Sequence, residues 1–294
     1  MFIESFTGNR NTVLSLAESI KSSGLSHAVL IFAKEGCGAN HFAKLLATDI
    51  IGGNQDDLRL VNEEAHGQVQ IIKGSGASGQ IKVESVREIN QNVNFSSLGG
   101  EKRVVIIQNC ENFNTSSANA LLKNLEEPKD DITYILTTTD TSRILSTIRS
   151  RCQMFSLSQP TEQETAQYFA NCTATDKDSI IRIYGGNIGM VKDALENPKR
   201  LEILQKSLSA QQLVQSQDSY GLAKLIYSFN KKKEDFLLFL KDMEYICSNN
   251  LNVQNIAVLD AVTDARNALS RNANLSLVME VFIIAVGKAP KDKK

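Results

Sequence analysis

The sequence predicts an α/β fold in which helices cover both faces of a parallel sheet, followed by an all-helical C-terminal part. Short apolar runs rich in β-branched residues alternate with helical segments up to residue 157, a pattern typical of strands buried on both faces. A strand, a glycine turn and a helix follow one another over residues 27–51. After Pro160 every apolar pattern has helical spacing, so the strands are confined to the N-terminal half.

The predicted elements of the α/β part alternate along the chain. In order, they are a helix (11–23), a strand (27–32), a helix (41–51), strands (58–61 and 69–72), a helix (83–95), a strand (104–107), a helix within 114–128, a strand within 129–139, a short helix ending at residues 150–152 and a strand (154–157). This alternation is the order expected of a parallel sheet with crossover helices.

The helical part is divided by two proline-containing breaks. Gln159-Pro160 predicts a linker, and Thr161 with Glu164 predicts a capping box at the start of a helix. Short helices are predicted over 176–184 and 188–195, and Asn197-Pro198 precedes a long amphipathic region over 201–286. The sequence therefore predicts three domains, at 1–158, 159–200 and 201–294.

Composition excludes several classes of protein. The net charge of −1 argues against a free-standing DNA-binding module, which would need a basic face. No stretch of about 18 apolar residues and no secretory signal is present, so no membrane partner is expected and the predicted location is cytoplasmic. The five cysteines are scattered without a C-x-x-C pair, which indicates reduced thiols and no zinc site.

The glycine turn after the first strand departs from a phosphate-binding loop. The working pattern is G-x-x-x-x-G-K-[ST], and the corresponding residues run from Ala33 to Asn40. Ala33 replaces the first glycine, Gly38 retains the second, and Ala39 and Asn40 replace the lysine and the hydroxyl residue; Gly36 is an additional glycine in the turn. We expect a tight turn without a ligand, although weak nucleotide binding by backbone amides stays open.

The second half of a nucleotide site is also altered. Gln108 and Asn109 follow the strand at 104–107, where a hydrolytic site needs carboxylates to hold Mg²⁺ and to polarise water. Glu111 is the nearest carboxylate but lies farther into the turn. Two independent losses predict that the chain does not hydrolyse ATP.

Several segments together resemble one protein family. The segments are HAVLIF, QIKVESVREI, RVVIIQNCENF, ANALLKNLEEP, ILTTTDTSRIL, TIRSRCQ and GGNIGMVKDAL, within residues 10–196. They resemble the clamp-loader branch of the AAA+ superfamily, and within it the delta-prime subunits of bacterial DNA polymerase III. The resemblance implies an α/β nucleotide-type domain, a small helical lid and a helical collar that joins subunits.

The resemblance also implies a role for Ser150-Arg151-Cys152. In this family the arginine reaches into the ATP site of a neighbouring subunit, so Arg151 is expected to be an arginine finger positioned by Ser150 and Cys152. The alternative is a structural arginine that forms an ion pair on its own surface. Gly189 stands where active relatives carry a sensor arginine, with Lys192 as the nearest cation, which argues against nucleotide sensing within the chain.

The implied partners are ATPase subunits of the gamma/tau type and a delta-type subunit in a hetero-pentamer, with the sliding clamp and primed DNA bound through the complex. ATP is expected on the neighbours, and no cofactor on this chain. The alternative function is an active AAA+ DNA-dependent ATPase of the clamp-loader type, which would require the altered residues to support hydrolysis.

Overall fold

The computed structural model describes residues 1–22, 24–75, 79–94, 102–128 and 131–290. The described part divides into two compact units. The first unit comprises Met1–Tyr168 with Gly186–Gly189, and the second comprises Phe169–Gly185 with the chain from Met190 onward. The three-domain division expected from the sequence stays a prediction.

A five-stranded sheet forms the centre of the first unit. Its strands are β1 (Ala28–Ala33), β2 (Val69–Ile72), β3 (Arg103–Ile107), β4 (Ile132–Thr138) and β5 (Gln153–Leu157). The spatial order is β2-β3-β4-β1-β5, and every neighbouring pair is parallel. Because parallel strands end at one edge, the turns after β1, β3 and β4 meet there, and the parallel α/β prediction is confirmed.

Helices cover both faces of this sheet. They are α1 (Arg10–Lys21), α2 (Ala39–Ile50), α3 (Gln55–Asn62), α4 (Val83–Asn94), α5 (Thr115–Glu126), α6 (Ser146–Arg149) and α7 (Glu162–Tyr168), with 3-10 turns at Phe2–Ser5, Cys110–Asn112 and Thr141–Arg143. Alternate strand side chains pack against α1 and α2 on one face and against α4, α5 and α6 on the other. Burial on both faces explains the continuous apolar runs of the central strands.

One predicted strand is wrong. Residues 58–61 lie in α3, not in a strand. The Asn54 side chain accepts hydrogen bonds from the backbone N–H groups of Asp56 and Asp57, and the Asp57 carboxylate accepts one from the Asn54 N–H. This reciprocal cap starts a helix locally, and it outweighs the apolar character of the short run that follows.

The second unit is entirely helical over the part that the structure describes. Its helices are α8 (Lys177–Tyr184), α9 (Ile188–Glu196, whose first residues belong to the first unit), α10 (Pro198–Ser216), α11 (Ser219–Tyr227), α12 (Lys233–Ser248), α13 (Val253–Ser270) and α14 (Leu275–Gly287). Their bounds confirm the predicted helical region. No helix in the described ranges is both long enough and apolar enough to span a bilayer.

A buried polar cluster lies inside the second unit. The guanidinium of Arg200 on α10, 1% exposed, contacts both carboxylate oxygens of Asp242 on α12 and donates to the Tyr184 hydroxyl on α8 across 2.6 Å. Tyr184 in turn donates to Asp242 across 2.7 Å, and burial raises the pKa of Tyr184. The cluster therefore ties three helices together through charge-assisted hydrogen bonds.

Candidate functional site

The turn after β1 lies at the carboxyl edge of the sheet, where a nucleotide would bind in a phosphate loop. Ala33 ends β1 as a buried residue, and Ala39 begins α2 directly after Gly38. Gly36 and Gly38 have φ values of 81° and 83°, in the region that favours glycine. Ala39 therefore takes the place of the motif lysine at the start of α2, and the turn itself depends on two glycines.

The segment that precedes α9 lies directly against this turn. Asn187 is 1% exposed, and its side-chain amide donates to the Glu35 carbonyl across 3.0 Å. The Gly189 N–H donates to the Gly36 carbonyl across 3.2 Å. A methyl group added to Gly36 would overlap the Asn187 side chain. Two carbonyls of the turn are thus already occupied by hydrogen-bond donors from the same chain.

Gly189 has a packing reason to be small. A Cβ atom at this position would lie 3.0 Å from the Gly36 carbonyl oxygen. Lys192, the nearest cation along the helix, is half exposed and lies 4.0 Å from Glu196 in an i,i+4 ion pair. A larger side chain at residue 189 would clash with the Gly36 backbone unless that backbone shifted.

An aromatic side chain covers the turn from another direction. A Cβ atom at Gly38 would lie 3.2 Å from the ring of Phe6, and that ring packs edge-on against Phe42 with centroids 4.9 Å apart. The N-terminal 3-10 turn is fixed by Asp49, which accepts hydrogen bonds from the N–H groups of Phe2 and Ile3. The sequence reasoning missed Phe6, for which the only signal was an apolar residue in a short N-terminal segment.

Two polar side chains and one backbone N–H group meet where β3, β4 and α2 come together. The Thr137 hydroxyl, which is fully buried on β4, donates to the Asn40 side-chain oxygen across 2.6 Å. The same hydroxyl accepts the Asn109 backbone N–H across 3.0 Å. Asn40 and Asn109, predicted separately from two motifs, therefore share one partner. These groups are paired with one another and include no carboxylate.

The remaining polar residues of this edge are also held in place by their own chain. Glu111 is 8% exposed, and its Oε1 accepts hydrogen bonds from the Thr139 hydroxyl at 2.7 Å and the Thr139 N–H at 3.3 Å. Its Oε2 has no hydrogen-bond partner. Gln108 is buried and its N–H donates to the Ile72 carbonyl. The single carboxylate of the motif is thus engaged at the end of β4.

This donor set does not suit a Mg²⁺–triphosphate. Such a ligand requires a cation near the β- and γ-phosphates and a carboxylate on the metal, whereas Ala39 and Asn109 stand in those places. Within the described ranges, no group of three or more His, Cys, Asp or Glu side chains is arranged to hold a metal ion. The absence of zinc expected from the sequence stays a prediction.

Arg151 lies at the corner between α6 and β5. Its Nη2 forms an ion pair with Glu126 Oε1 across 2.8 Å, and its Nη1 donates to the Thr147 carbonyl across 3.0 Å. The Arg151 side chain is 35% exposed and that of Glu126 is 49% exposed. The arginine is therefore reachable from solvent while it is held on its own surface, so both sequence-based interpretations of Arg151 remain compatible with the geometry.

The two flanking residues fix the direction of Arg151. Ser150 is exposed, and its hydroxyl donates to the Thr147 carbonyl across 3.1 Å. Cys152 points into the core of the sheet, and burial raises the pKa of its thiol to about 11. The hydrogen bond of Ser150 and the burial of Cys152 therefore fix the backbone on both sides of residue 151. The Nε of nearby Arg149 is buried and has no hydrogen-bond partner.

Comparison with known proteins identifies a family. A model of the family described as DNA polymerase III, delta subunit, matches residues 8–161, more than half of the chain. The delta' subunit of DNA polymerase III from Haemophilus influenzae is 32% identical over 177 residues, which cover 58% of this chain and 54% of that protein. The gamma subunit from Buchnera aphidicola of Acyrthosiphon pisum is 30% identical, with coverage of 66% and 57%.

A solved structure supports the fold. The crystal structure of a DNA polymerase III gamma subunit-related protein from Thermotoga maritima matches 93% of this chain and 99% of its own, with a TM-score of 0.58 and 16% identity. The AAA+-like α/β fold with a helical C-terminal part, as expected from the sequence, is confirmed. The matches to the two sequence relatives above span only about half of each relative's length.

Proposed function

The chain belongs to the DNA polymerase III delta-subunit family, and from this membership we propose that it is a non-hydrolysing clamp-loader subunit that donates Arg151 to the ATP site of a neighbouring subunit. The observation that carries the proposal is a contrast within one unit. Ser150-Arg151-Cys152 is intact and the Arg151 side chain is solvent-accessible, while two carbonyls of the turn after β1 accept hydrogen bonds from Asn187 and Gly189.

The chemistry of the sheet edge supports the non-hydrolysing part of the proposal. A phosphate-binding loop uses free backbone N–H groups, a lysine and an acidic metal ligand. Here α2 begins at Ala39, and Asn40 and Asn109 stand at the metal-binding positions; the Thr137 hydroxyl donates to the Asn40 side-chain oxygen and accepts from the Asn109 backbone N–H. This edge of the sheet therefore lacks both the lysine and the acidic metal ligand of a hydrolytic site.

The properties of arginine support the donated role. A guanidinium keeps its charge at all physiological pH values and presents donors in a fixed plane, which matches the charge that develops on a transferred phosphoryl group. Arg151 lies on the surface next to a turn anchored by Cys152, so its backbone is fixed while its tip is accessible. Such an arginine can serve a site that another chain completes.

The proposed partners follow from the family and the relatives. They are ATPase subunits of the gamma/tau type and a delta-type subunit in a hetero-pentamer, with the sliding clamp and primed DNA engaged by the assembled complex. ATP binds to the neighbouring subunits in this proposal, and the chain itself holds no cofactor. The proposed location is cytoplasmic, as expected of a replication protein.

The test uses two measurements. Calorimetry of the isolated chain with MgATP is expected to show no binding at micromolar concentrations. In a reconstituted clamp loader, Arg151→Ala is expected to lower the DNA- and clamp-stimulated ATPase rate by about 10- to 1,000-fold at the site that it serves. The matched control is Arg143→Ala, an exposed arginine of the same segment, which should leave the rate unchanged.

One observation favours a second function. A gamma subunit is 30% identical over 66% of the chain, so an active DNA-dependent ATPase of the clamp-loader type is the alternative. It predicts turnover by the purified single chain, stimulated by DNA. Tight MgATP binding together with turnover of that kind would reject the non-hydrolysing role.

A further inference from the structure

The ion pair between Arg151 and Glu126 links the proposed arginine finger to a residue of another element. Glu126 is the last residue of α5, and its carboxylate lies 2.8 Å from Nη2 of Arg151. The other terminal nitrogen, Nη1, donates to the Thr147 carbonyl of α6. Both terminal nitrogens of the guanidinium are therefore engaged by the arginine's own chain.

This arrangement has a chemical consequence. A guanidinium binds a phosphate through paired N–H donors, and both terminal nitrogens of Arg151, Nη1 and Nη2, already donate to groups of the same chain. Arg151 must leave Glu126 before those donors reach a phosphate. The pair is open to water on both sides, with 35% and 49% of the two side chains exposed, so a more highly charged anion can displace the carboxylate.

The position of Glu126 at the C-terminal end of α5 strengthens its electrostatic attraction for Arg151. The carbonyl end of a helix carries partial negative charge, and Glu126 and Glu127 end α5 together. Glu127 is exposed, and no ion pair to it is found in the described part of the chain. Of two adjacent carboxylates, only Glu126 contacts Arg151, which provides a matched control.

We propose that Glu126 is a positioning residue that holds Arg151 docked on its own subunit and releases it to the triphosphate of the neighbouring chain. This inference rests on the proposed function of Arg151. The docked state competes with phosphate binding, so it lowers the apparent affinity of the neighbouring site for ATP by the fraction of time that the arginine is docked. Once the arginine is released, the chemical step proceeds without Glu126.

The experiment compares variants of this chain in the reconstituted clamp loader, with the ATPase rate measured as a function of ATP concentration. Glu126→Gln removes the charge and is expected to lower KM about two- to fivefold, with kcat changed by less than about twofold. Glu126→Asp, which keeps the charge, should restore most of the original KM. Glu127→Gln should behave as the unaltered chain, and the effect of Glu126→Gln should disappear in the Arg151→Ala background.

The outcomes separate this inference from the function on which it rests. If Arg151→Ala lowers the rate but Glu126→Gln leaves KM unchanged, or lowers kcat instead, the release role is overturned and the finger stands. A KM shift that persists in the Arg151→Ala background also overturns the release role. If Arg151→Ala itself leaves the rate unchanged, the proposed function fails, and the release role fails with it.

Discussion

The side-chain amide of Asn187 donates to the Glu35 carbonyl across 3.0 Å, from a position that is 1% exposed. Residues separated by 152 positions in the chain are thus joined at the turn that follows β1. The contact gives the turn a partner within the protein, where phosphate-binding relatives of this architecture would use the turn for a ligand.

Asn187→Ala is therefore expected to destabilise the first unit. The substitution removes the buried donor to the Glu35 carbonyl and creates a small void beside Gly36, which together cost about 1–3 kcal/mol in the free energy of unfolding. Urea denaturation followed by circular dichroism measures the change. Asn267→Ala, an exposed position on α13, is the control and should cost less than about 0.5 kcal/mol. An equal loss at both positions would contradict the role of Asn187.

Restoring the lysine and the hydroxyl of the phosphate motif should not restore nucleotide binding. The double variant Ala39→Lys, Asn40→Thr regains two motif residues, but Asn187 still contacts the turn, and Gln108 and Asn109 rather than carboxylates directly follow β3. Calorimetry with MgATP is expected to show a Kd weaker than about 1 mM, which corresponds to roughly −4 kcal/mol. Micromolar binding would contradict this expectation, because it would show that the loss of the lysine and the hydroxyl residue alone accounts for the absence of nucleotide binding.

The buried cluster of the second unit should respond strongly to the loss of its carboxylate. Asp242→Asn removes the nearest counter-charge of the Arg200 guanidinium, which is 1% exposed, and leaves it with the half-exposed carboxylate of Asp193, 3.6 Å from Nε. The unfolding free energy is expected to fall by about 3–5 kcal/mol. Tyr184→Phe removes two hydrogen bonds but no charge, so about 1–2 kcal/mol is expected. Chemical denaturation orders the two variants, and a larger effect for Tyr184→Phe would contradict the dominance of the ion pair.

Alkaline pH should destabilise the chain through its buried thiols. Burial raises the pKa of Cys152 from 9.0 to about 11, so the folded state keeps a proton that the unfolded state releases. The stabilising contribution is fully present below pH 9 and is lost as pH rises from 9 towards 11. Denaturant unfolding over this range measures the loss, which Cys152→Ala should reduce.

The same burial predicts selective thiol chemistry. Cys172 is the partly exposed cysteine, whereas Cys37, Cys110, Cys152 and Cys247 are buried and have raised pKa values. Iodoacetamide at pH 8 should therefore modify Cys172 first in the folded chain, as mass spectrometry of peptides would show. Equal modification of all five thiols in the native state would contradict the buried placement.

Much of the fold could be predicted from local patterns. Strands buried on both faces have continuous apolar runs, so the predicted starts of β1 and β3 lie within one residue of the observed starts. The helix at Gln55–Asn62 was missed because its apolar run is short, although Asn54 and Asp57 form a cap that could have been found in the sequence. Cap chemistry, not apolar periodicity, decides the structure of that segment.

The site was less predictable because its contacts join distant segments. The sequence motifs indicate Asn40 and Asn109, but their shared partner Thr137 follows only from the strand order that places β4 between β1 and β3. The contact of Asn187 with the turn, and the cover provided by Phe6, depend on packing across more than 30 residues of chain. No local pattern encodes such contacts.

The contacts of Asn187 and Gly189 with the turn after β1 have a consequence for how the stability of the protein depends on cellular nucleotide levels. A protein that folds around a bound nucleotide gains stability by mass action, about 2.7 kcal/mol at a hundredfold excess of ligand over Kd, and loses it when the nucleotide pool falls. In this chain the partners of the turn are Asn187 and Gly189, which belong to the same chain, so these contacts do not depend on the concentration of a ligand. Under the proposed function, in which ATP binds to the neighbouring subunits, the folded population of this chain is independent of the cellular nucleotide pool.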